Sequence, residues 1–233
     1  MSQHTTQREL PEYLEGEEHN IDWKGYVLAG SNDKKYIMIK RLGYGSYASV
    51  WMAYKINNVK KGWDSTNCYA IKIHNTDDVA EGVKEIQMYK KFKELEIPYV
   101  SSPEDEFVIV RKSDEATLQH VCVVIDLMAC SIYDLIEKGK YGKGFPFNTV
   151  VTITKQILES LKKLHYNNII HSDIKPENIL MSGLTEGNKK LAEDLSTKSN
   201  MKALKKYIGR VTSITETSES ESDSEYDSEY DSE

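Results

Sequence analysis

The segment HSDIKPENIL, residues 171–180, constrains the fold and chemistry of this chain more than any other part of it. It places an aspartate at position 173, a lysine at position 175 and an asparagine at position 178. Phosphoryl transfer from ATP needs such a set: an acceptor for the substrate's hydroxyl proton, a cation beside the transferring phosphate and a ligand for Mg²⁺. The segment therefore predicts catalytic roles for Asp173 and Lys175 and a metal-binding role for Asn178.

A glycine-containing turn between two predicted strands, LGYGSYASV at residues 42–50, is a candidate phosphate-binding loop. Glycines in such a turn let the backbone approach phosphates that a Cβ atom would block. An ordinary hairpin also uses glycine in this way, so the turn alone does not establish a nucleotide site. The residues that it would place against a nucleotide are Leu42, Gly43, Tyr44, Gly45, Ser46, Tyr47, Ala48, Ser49 and Val50.

A lysine interrupts the next predicted strand, CYAIKIH, which is otherwise largely apolar. A lysine inside a core is costly unless it is paired, so Lys72 is expected to have a carboxylate partner. The predicted helix at residues 77–96 offers Glu85, and this pair would hold the α- and β-phosphates of ATP. Glu81, one turn earlier on the same helix face, is the rival partner, and a solvent-facing Lys72 is the alternative to both.

Taken in order, the glycine turn, the strand lysine and the 171–180 segment resemble a eukaryotic-type protein kinase over residues 36–181. The string DIKPEN resembles the serine/threonine branch. LGYGSYASVW, HVCVVIDLM and IIHSDIKPENIL are most similar to the SR-protein kinases, which phosphorylate serines in arginine–serine-rich segments. The resemblance implies an α+β, two-lobed, protein-kinase-like fold, with a five-stranded antiparallel N-lobe that carries one helix and an incomplete helical C-lobe.

The same resemblance implies the cofactors ATP and Mg²⁺ and assigns the contacts to adenine. Leu42, Val50 and Ala70 would cover the purine faces, and Asp126 and Met128 would offer backbone groups to its edge. The implied function is transfer of the γ-phosphate of ATP to a hydroxyl group of a protein substrate, with arginine–serine-rich proteins as the implied substrates.

The sequence departs from the kinase pattern after residue 181. No DFG string occurs, and the nearest candidate, DLS at residues 194–196, lies in surroundings that favour a solvated helix or spacer over a buried strand. No APE string follows it, so the sequence predicts a kinase domain truncated after the catalytic loop. The alternative function is therefore a catalytically inactive, kinase-derived binding module that acts through the N-lobe or the acidic tail.

Composition divides the chain into five predicted regions. Residues 1–34 are expected to be an irregular extension with Trp23 and Tyr26 as anchors, residues 35–128 the N-lobe and hinge, and residues 129–182 a partial C-lobe. Residues 183–215 are expected to be a Lys/Ser-rich linker or spacer. Residues 216–233 hold nine acidic residues and no basic residue, which predicts a disordered tail suited to a basic partner.

Other patterns exclude several classes of protein. No apolar run approaches the roughly 18 residues of a membrane span, and the first residues lack the apolar core of a signal peptide. The sequence has no basic stripe with interleaved aromatic residues, so direct nucleic-acid binding is not expected. The three cysteines match no metal-binding spacing, which favours reduced thiols in an intracellular protein, cytoplasmic or nuclear. Frequent Lys, Ile, Asn and Tyr residues suggest an AT-rich, viral genome.

Overall fold

The computed structural model describes residues 21–56, 67–112, 117–137, 139, 141–196 and 206. Predictions for residues 1–20, for most of the expected linker and for the acidic tail at residues 216–233 lie outside the described residues.

The larger of the two sheets in the described structure has six antiparallel strands. Its strands, which follow the sheet order β1-β2-β3-β4-β6-β5, are β1 (Val27–Ala29), β2 (Lys35–Tyr44), β3 (Ala48–Lys55), β4 (Cys68–His74), β5 (Pro103–Lys112) and β6 (Thr117–Asp126). A second, two-stranded sheet pairs β7 (Cys130–Ser131) with β8 (Leu180–Met181). The helices are α1 (Val79–Glu94), α2 (Ile132–Glu137), α3 (Phe147–Tyr166) and α4 (Glu186–Ser196), and short 3₁₀ turns lie at Thr76–Asp78 and Pro176–Asn178.

The main sheet has one strand more than the five expected, because part of the segment predicted to be irregular is ordered. β1 pairs with the start of β2 after a turn in which the Gly30 N–H donates to the Lys34 carbonyl at 2.8 Å. Trp23, only 1% exposed, and Leu28 are buried in the same core. Burying these two large side chains offsets the entropy of ordering so short a strand. The prediction that Trp23 is an anchor is therefore confirmed.

The two faces of the main sheet contact two different hydrophobic clusters. Along β4, Ile71 and Ile73 belong to one cluster and Ala70 to the other, as the two-residue period of a strand requires. Lys72 shares the face of Ala70 by the same alternation. Leu184, and Leu191 of α4, pack against the cluster on this second face, which also contains Leu127, the residue after β6.

Helix α3 connects the two parts of the described structure. Its Ser160 Oγ donates to the Pro98 carbonyl at 2.6 Å, and its Lys163 Nζ donates to the Glu96 carbonyl at 2.8 Å. Both carbonyls belong to the loop between α1 and β5, so α3 is held against the sheet-bearing half. The chain that leaves α3 runs directly into the 171–180 segment, whose position is therefore tied to that of the sheet.

Candidate active site

The glycine turn lies between β2 and β3 and is open on its outer side. The Gly45 N–H donates to the Ala48 carbonyl at 2.9 Å, which closes the turn. A Cβ atom built on Gly43 would meet nothing within 4 Å. The side chains of Leu42, Tyr44 and Tyr47 are exposed, whereas Ala48 and Ser49 are buried and Val50 is half-buried. The turn thus presents backbone and accessible side chains to a space in which a phosphate group has room.

Asn75, immediately after β4, ties the glycine turn to the rest of the sheet. Its side-chain Nδ2 donates to the Ser46 carbonyl at 2.8 Å, and its backbone N–H donates to the Tyr47 carbonyl at 3.0 Å. The Asn75 side chain is buried, so these bonds are shielded from water. The turn is consequently held at a defined distance from the end of the strand that carries Lys72.

Lys72 of β4 is paired with Glu85 of α1. The Lys72 Nζ lies 2.7 Å from Glu85 Oε2, and both side chains are partly buried. The hydroxyl of Tyr89 donates to the other carboxylate oxygen, Glu85 Oε1, at 3.1 Å. Glu81, the rival partner, is exposed and lies 3.5 Å from Lys84 on its own helix. The structure therefore brings together the strand lysine and the helix carboxylate at position 85.

The environment of Glu85 strongly favours its ionised form. Burial by itself would raise the pKa of this carboxyl group, but the contacts with His74 and Lys72 outweigh burial and lower the pKa to about 2. The carboxylate is therefore charged throughout the physiological pH range and keeps Lys72 paired.

This lowered pKa predicts a loss of stability in acid. Since the pKa of Glu85 in the folded protein lies below the ordinary glutamate value of 4.5, Glu85 stabilises the fold fully above about pH 4.5, and that contribution disappears as the pH falls toward about 2. We expect Glu85→Gln to lower the free energy of unfolding at pH 7 and to flatten its decline between pH 5 and pH 3, measured by urea denaturation. Glu81→Gln is the matched control on the same helix, and equal pH slopes for the two variants would contradict the assignment.

The 171–180 segment forms a compact polar cluster around Asp173. Lys175 Nζ lies 3.0 Å from Asp173 Oδ2, and Asn178 Nδ2 donates to the same oxygen at 2.7 Å and to the Asp173 carbonyl at 2.9 Å. The contacts with Lys175 and Asn178 lower the pKa of Asp173, which is therefore ionised at neutral pH. Ser172, just before it, has a φ of 62°, a left-handed conformation that costs free energy and is enriched at functional sites.

The hinge region links the main sheet to this polar cluster. Ile125 and Asp126 of β6 pair with Ala70 and Tyr69 of β4, in the strand that carries Lys72. The chain then passes the half-buried Met128 and forms β7, which pairs with β8 immediately after the Asn178 turn. The Ala129 N–H donates to the Met181 carbonyl at 2.8 Å, which extends this pairing toward the hinge. The short segment 127–129, which includes the predicted adenine-binding residue Met128, thus joins the strand beside Lys72 to the small sheet that follows Asn178.

The DLS string does not end a buried strand. Asp194 is an exposed residue of α4, in accordance with the prediction of a solvated helix for this segment.

Within the ranges that the structure describes, no helix combines the length and the apolar character that crossing a membrane requires.

Two residues near the Lys72–Glu85 pair were not predicted from the sequence. His74, at the end of β4, places its Nε2 2.9 Å from Glu85 Oε2. Gly82 of α1 faces β6 so closely that an added Cβ would lie 2.8 Å from the Val121 Cβ. A glycine inside an otherwise good helix pattern often has such a packing reason, and it was the available signal for Gly82.

Comparison with known proteins agrees with this geometry. The family model described as the protein kinase domain matches residues 36–219. A protein of Acanthamoeba polyphaga mimivirus named as a serine/threonine-protein kinase, L205, is 37% identical over 194 residues. The serine/threonine-protein kinase SKY1 of Saccharomyces cerevisiae is 30% identical over 202 residues, and human SRSF protein kinase 3 is 29% identical over 191 residues.

These alignments cover 80%, 81% and 74% of this chain, respectively, but the chain spans only 32%, 26% and 32% of the three relatives. Among solved structures, the kinase domain of PF14_0431 superimposes with a TM-score of 0.53 at 21% identity, covering 71% of this chain and 44% of that one. This likeness confirms the kinase-like α+β fold, and the names of the relatives confirm the resemblance to serine/threonine kinases. The chain belongs to the protein kinase domain family.

Proposed function

We propose that this chain binds Mg²⁺-ATP and transfers the γ-phosphate to a serine or threonine hydroxyl of a protein. The observation that carries this proposal is the cluster in which Lys175 and Asn178 both contact the ionised Asp173. It combines a proton acceptor, a cation and an amide oxygen within one short segment, and these are the groups that phosphoryl transfer requires.

The described residues fit a bound nucleotide. The space beside Gly43 can take a phosphate, and Lys72, paired with Glu85 but still 32% exposed on its side chain, can contact a phosphate oxygen. Leu42, Val50 and Ala70 would contact the purine, and the backbone of Asp126 and Met128 would meet its edge. ATP supplies the transferable phosphoryl group when it is bound.

The donor set around Asn178 fits Mg²⁺ as well. Asn178 uses its Nδ2 atom for both bonds to Asp173, so its carbonyl oxygen Oδ1 is the atom that remains for a metal. Magnesium prefers oxygen ligands and is usually bound by few protein groups together with water and substrate phosphates. Bound Mg²⁺ would neutralise charge on the phosphates during transfer.

Asp173 would act on the substrate and Lys175 on the phosphate. The Asp173 carboxylate would orient the attacking hydroxyl and accept its proton as the bond to phosphorus forms. Lys175, now paired with Asp173, would place its positive charge beside the γ-phosphate, where negative charge accumulates. Lys72 would hold the α- and β-phosphates in place, so that the γ-phosphate and the attacking hydroxyl are aligned for reaction.

The proposed protein substrate is rich in arginine and serine, as the name of the relative SRSF protein kinase 3 suggests. The test is transfer of radiolabelled phosphate from ATP to an arginine–serine repeat peptide by the full chain. We expect incorporation that depends on Mg²⁺ and disappears when every serine of the peptide is replaced by alanine. If no incorporation is found although the chain binds Mg²⁺-ATP, the transfer function is wrong and the binding-module alternative remains.

A further inference from the structure

We propose that His74 is a positioning residue for the Lys72–Glu85 pair. Its imidazole ring holds the Glu85 carboxylate at the place where that carboxylate meets Lys72. This role rests on the proposed function, because it concerns how Lys72 is presented to the phosphates of a nucleotide.

The contacts of Glu85 show how the carboxylate is held. His74 Nε2 lies 2.9 Å from Glu85 Oε2, the same oxygen that Lys72 Nζ approaches to 2.7 Å. Tyr89 donates to Glu85 Oε1 from one helical turn further on. Lys72 is a long and flexible partner, and Tyr89 lies on the same helix as Glu85. Of the three partners, His74 is the one with a short side chain on a strand of the sheet. It therefore fixes the position of the carboxylate relative to the sheet.

The His74 ring is itself held rigidly by the surrounding fold. His74 is only 3% exposed. The backbone carbonyl of His74 contacts the Nδ1 atom of His120, on neighbouring β6, at 2.9 Å, which holds the backbone from which the ring projects. A Cβ atom added to Gly82 would lie 3.0 Å from the His74 Cγ, so α1 reaches the ring because position 82 has no side chain. Glu85 lies three residues after Gly82, on the same face of the helix. The close packing of α1 at Gly82 therefore places the Glu85 side chain next to both His74 and Lys72.

The contact with Glu85 is the polar contact through which the His74 ring acts. In the described part of the chain, neither ring nitrogen makes a hydrogen bond of ordinary geometry, and the close polar contact of the ring is the one of Nε2 with Glu85 Oε2, at ion-pair distance. A substitution that removes the ring nitrogens therefore changes the polar surroundings of Glu85 and of no other described group. Its effect should follow the phosphate-binding function of Lys72 and leave the contacts with adenine unchanged.

The test compares the affinities of the full chain for Mg²⁺-ATP and for adenosine by calorimetric titration. We expect His74→Ala to weaken Mg²⁺-ATP binding by about tenfold, the effect of losing one close polar contact with a charged group. Adenosine, which has no phosphate, should bind His74→Ala as tightly as it binds the wild type. His74→Gln should restore most of the affinity for Mg²⁺-ATP, because its amide nitrogen can occupy the place of Nε2 and donate to Glu85.

A second background separates positioning from a general structural effect. In a chain that already carries Glu85→Gln, the His74→Ala change should cause no further loss of Mg²⁺-ATP affinity. Equal losses of ATP and adenosine affinity, or the same loss in both backgrounds, would overturn the proposal, and so would an unchanged His74→Ala affinity. A wild-type chain that binds adenosine and Mg²⁺-ATP equally well would instead refute the phosphate site itself. Thermal unfolding of each variant without ligand shows that the compared proteins are folded. If His74→Ala does not fold, His74→Leu replaces it in both backgrounds, because leucine fills more of the ring's volume and has no polar side-chain atom.

Discussion

The Asp173→Ala variant should transfer phosphate to an arginine–serine peptide about 10²–10⁴-fold more slowly than the wild-type chain. The substitution removes the carboxylate that would orient the hydroxyl and accept its proton, and it also removes the contacts of Lys175 and Asn178. Initial rates of radiolabelled phosphate incorporation measure the effect. Because Asp173 is exposed on the surface of its segment, the variant should unfold at nearly the same urea concentration as the wild type.

Glu81→Ala is the control for this experiment. It removes an acidic side chain from α1 whose described ion pair is with Lys84, 3.5 Å away, so its transfer rate should match that of the wild type. Equal transfer rates for Asp173→Ala and the wild type would show that the incorporated phosphate does not depend on the proposed proton acceptor.

Replacing Trp23 with alanine should destabilise the fold by about 3–5 kcal/mol, the usual cost of removing a fully buried large aromatic side chain. The Trp23 ring contacts His120 at a centroid distance of 5.5 Å and Tyr26 at 6.1 Å, both edge-on. Its loss would leave a cavity in the core cluster that also contains Leu28 of β1. Urea denaturation of the full chain, followed by far-UV circular dichroism, gives the change in the free energy of unfolding.

Tyr166→Ala serves as the matched control, because Tyr166 is an aromatic residue that is 88% exposed at the end of α3. Its substitution should change the free energy of unfolding by no more than about 0.5 kcal/mol. A small loss for Trp23→Ala, comparable to that for Tyr166→Ala, would mean that the segment around β1 does not belong to the core.

The part of the site that could be predicted consists of residues whose chemical roles follow from residue types and spacing in the sequence. Asp173, Lys175 and Asn178 lie within six consecutive positions, so the contacts among them form within one short segment. The Lys72–Glu85 contact was predictable because a lysine in a buried strand needs a partner and a nearby helix face offered two carboxylates. The choice of Glu85 over Glu81 came from the structure.

The parts that were not predicted depend on contacts between distant residues. β1 has only three residues, too few for an alternating pattern, and it is ordered by the burial of Trp23 and Leu28 in a core built from other strands. In the sequence, His74 is simply the last residue of a strand, and its contact with Glu85 forms only when α1 packs against it. That packing depends on Gly82 meeting Val121, 39 positions later in the sequence. The division into domains and the roles of the site residues in binding ATP remain predictions.

We propose that Lys72 and the segment around Asn178 line one nucleotide cleft. The most direct measurement is a crystal structure of the full chain with Mg²⁺ and a non-hydrolysable ATP analogue. We expect the triphosphate to lie between Lys72 Nζ and Asn178 Oδ1, with the glycine turn covering it and the γ-phosphate facing Asp173. A nucleotide bound elsewhere, or Lys72 and Asp173 lying on separate surfaces with no phosphate between them, would contradict it.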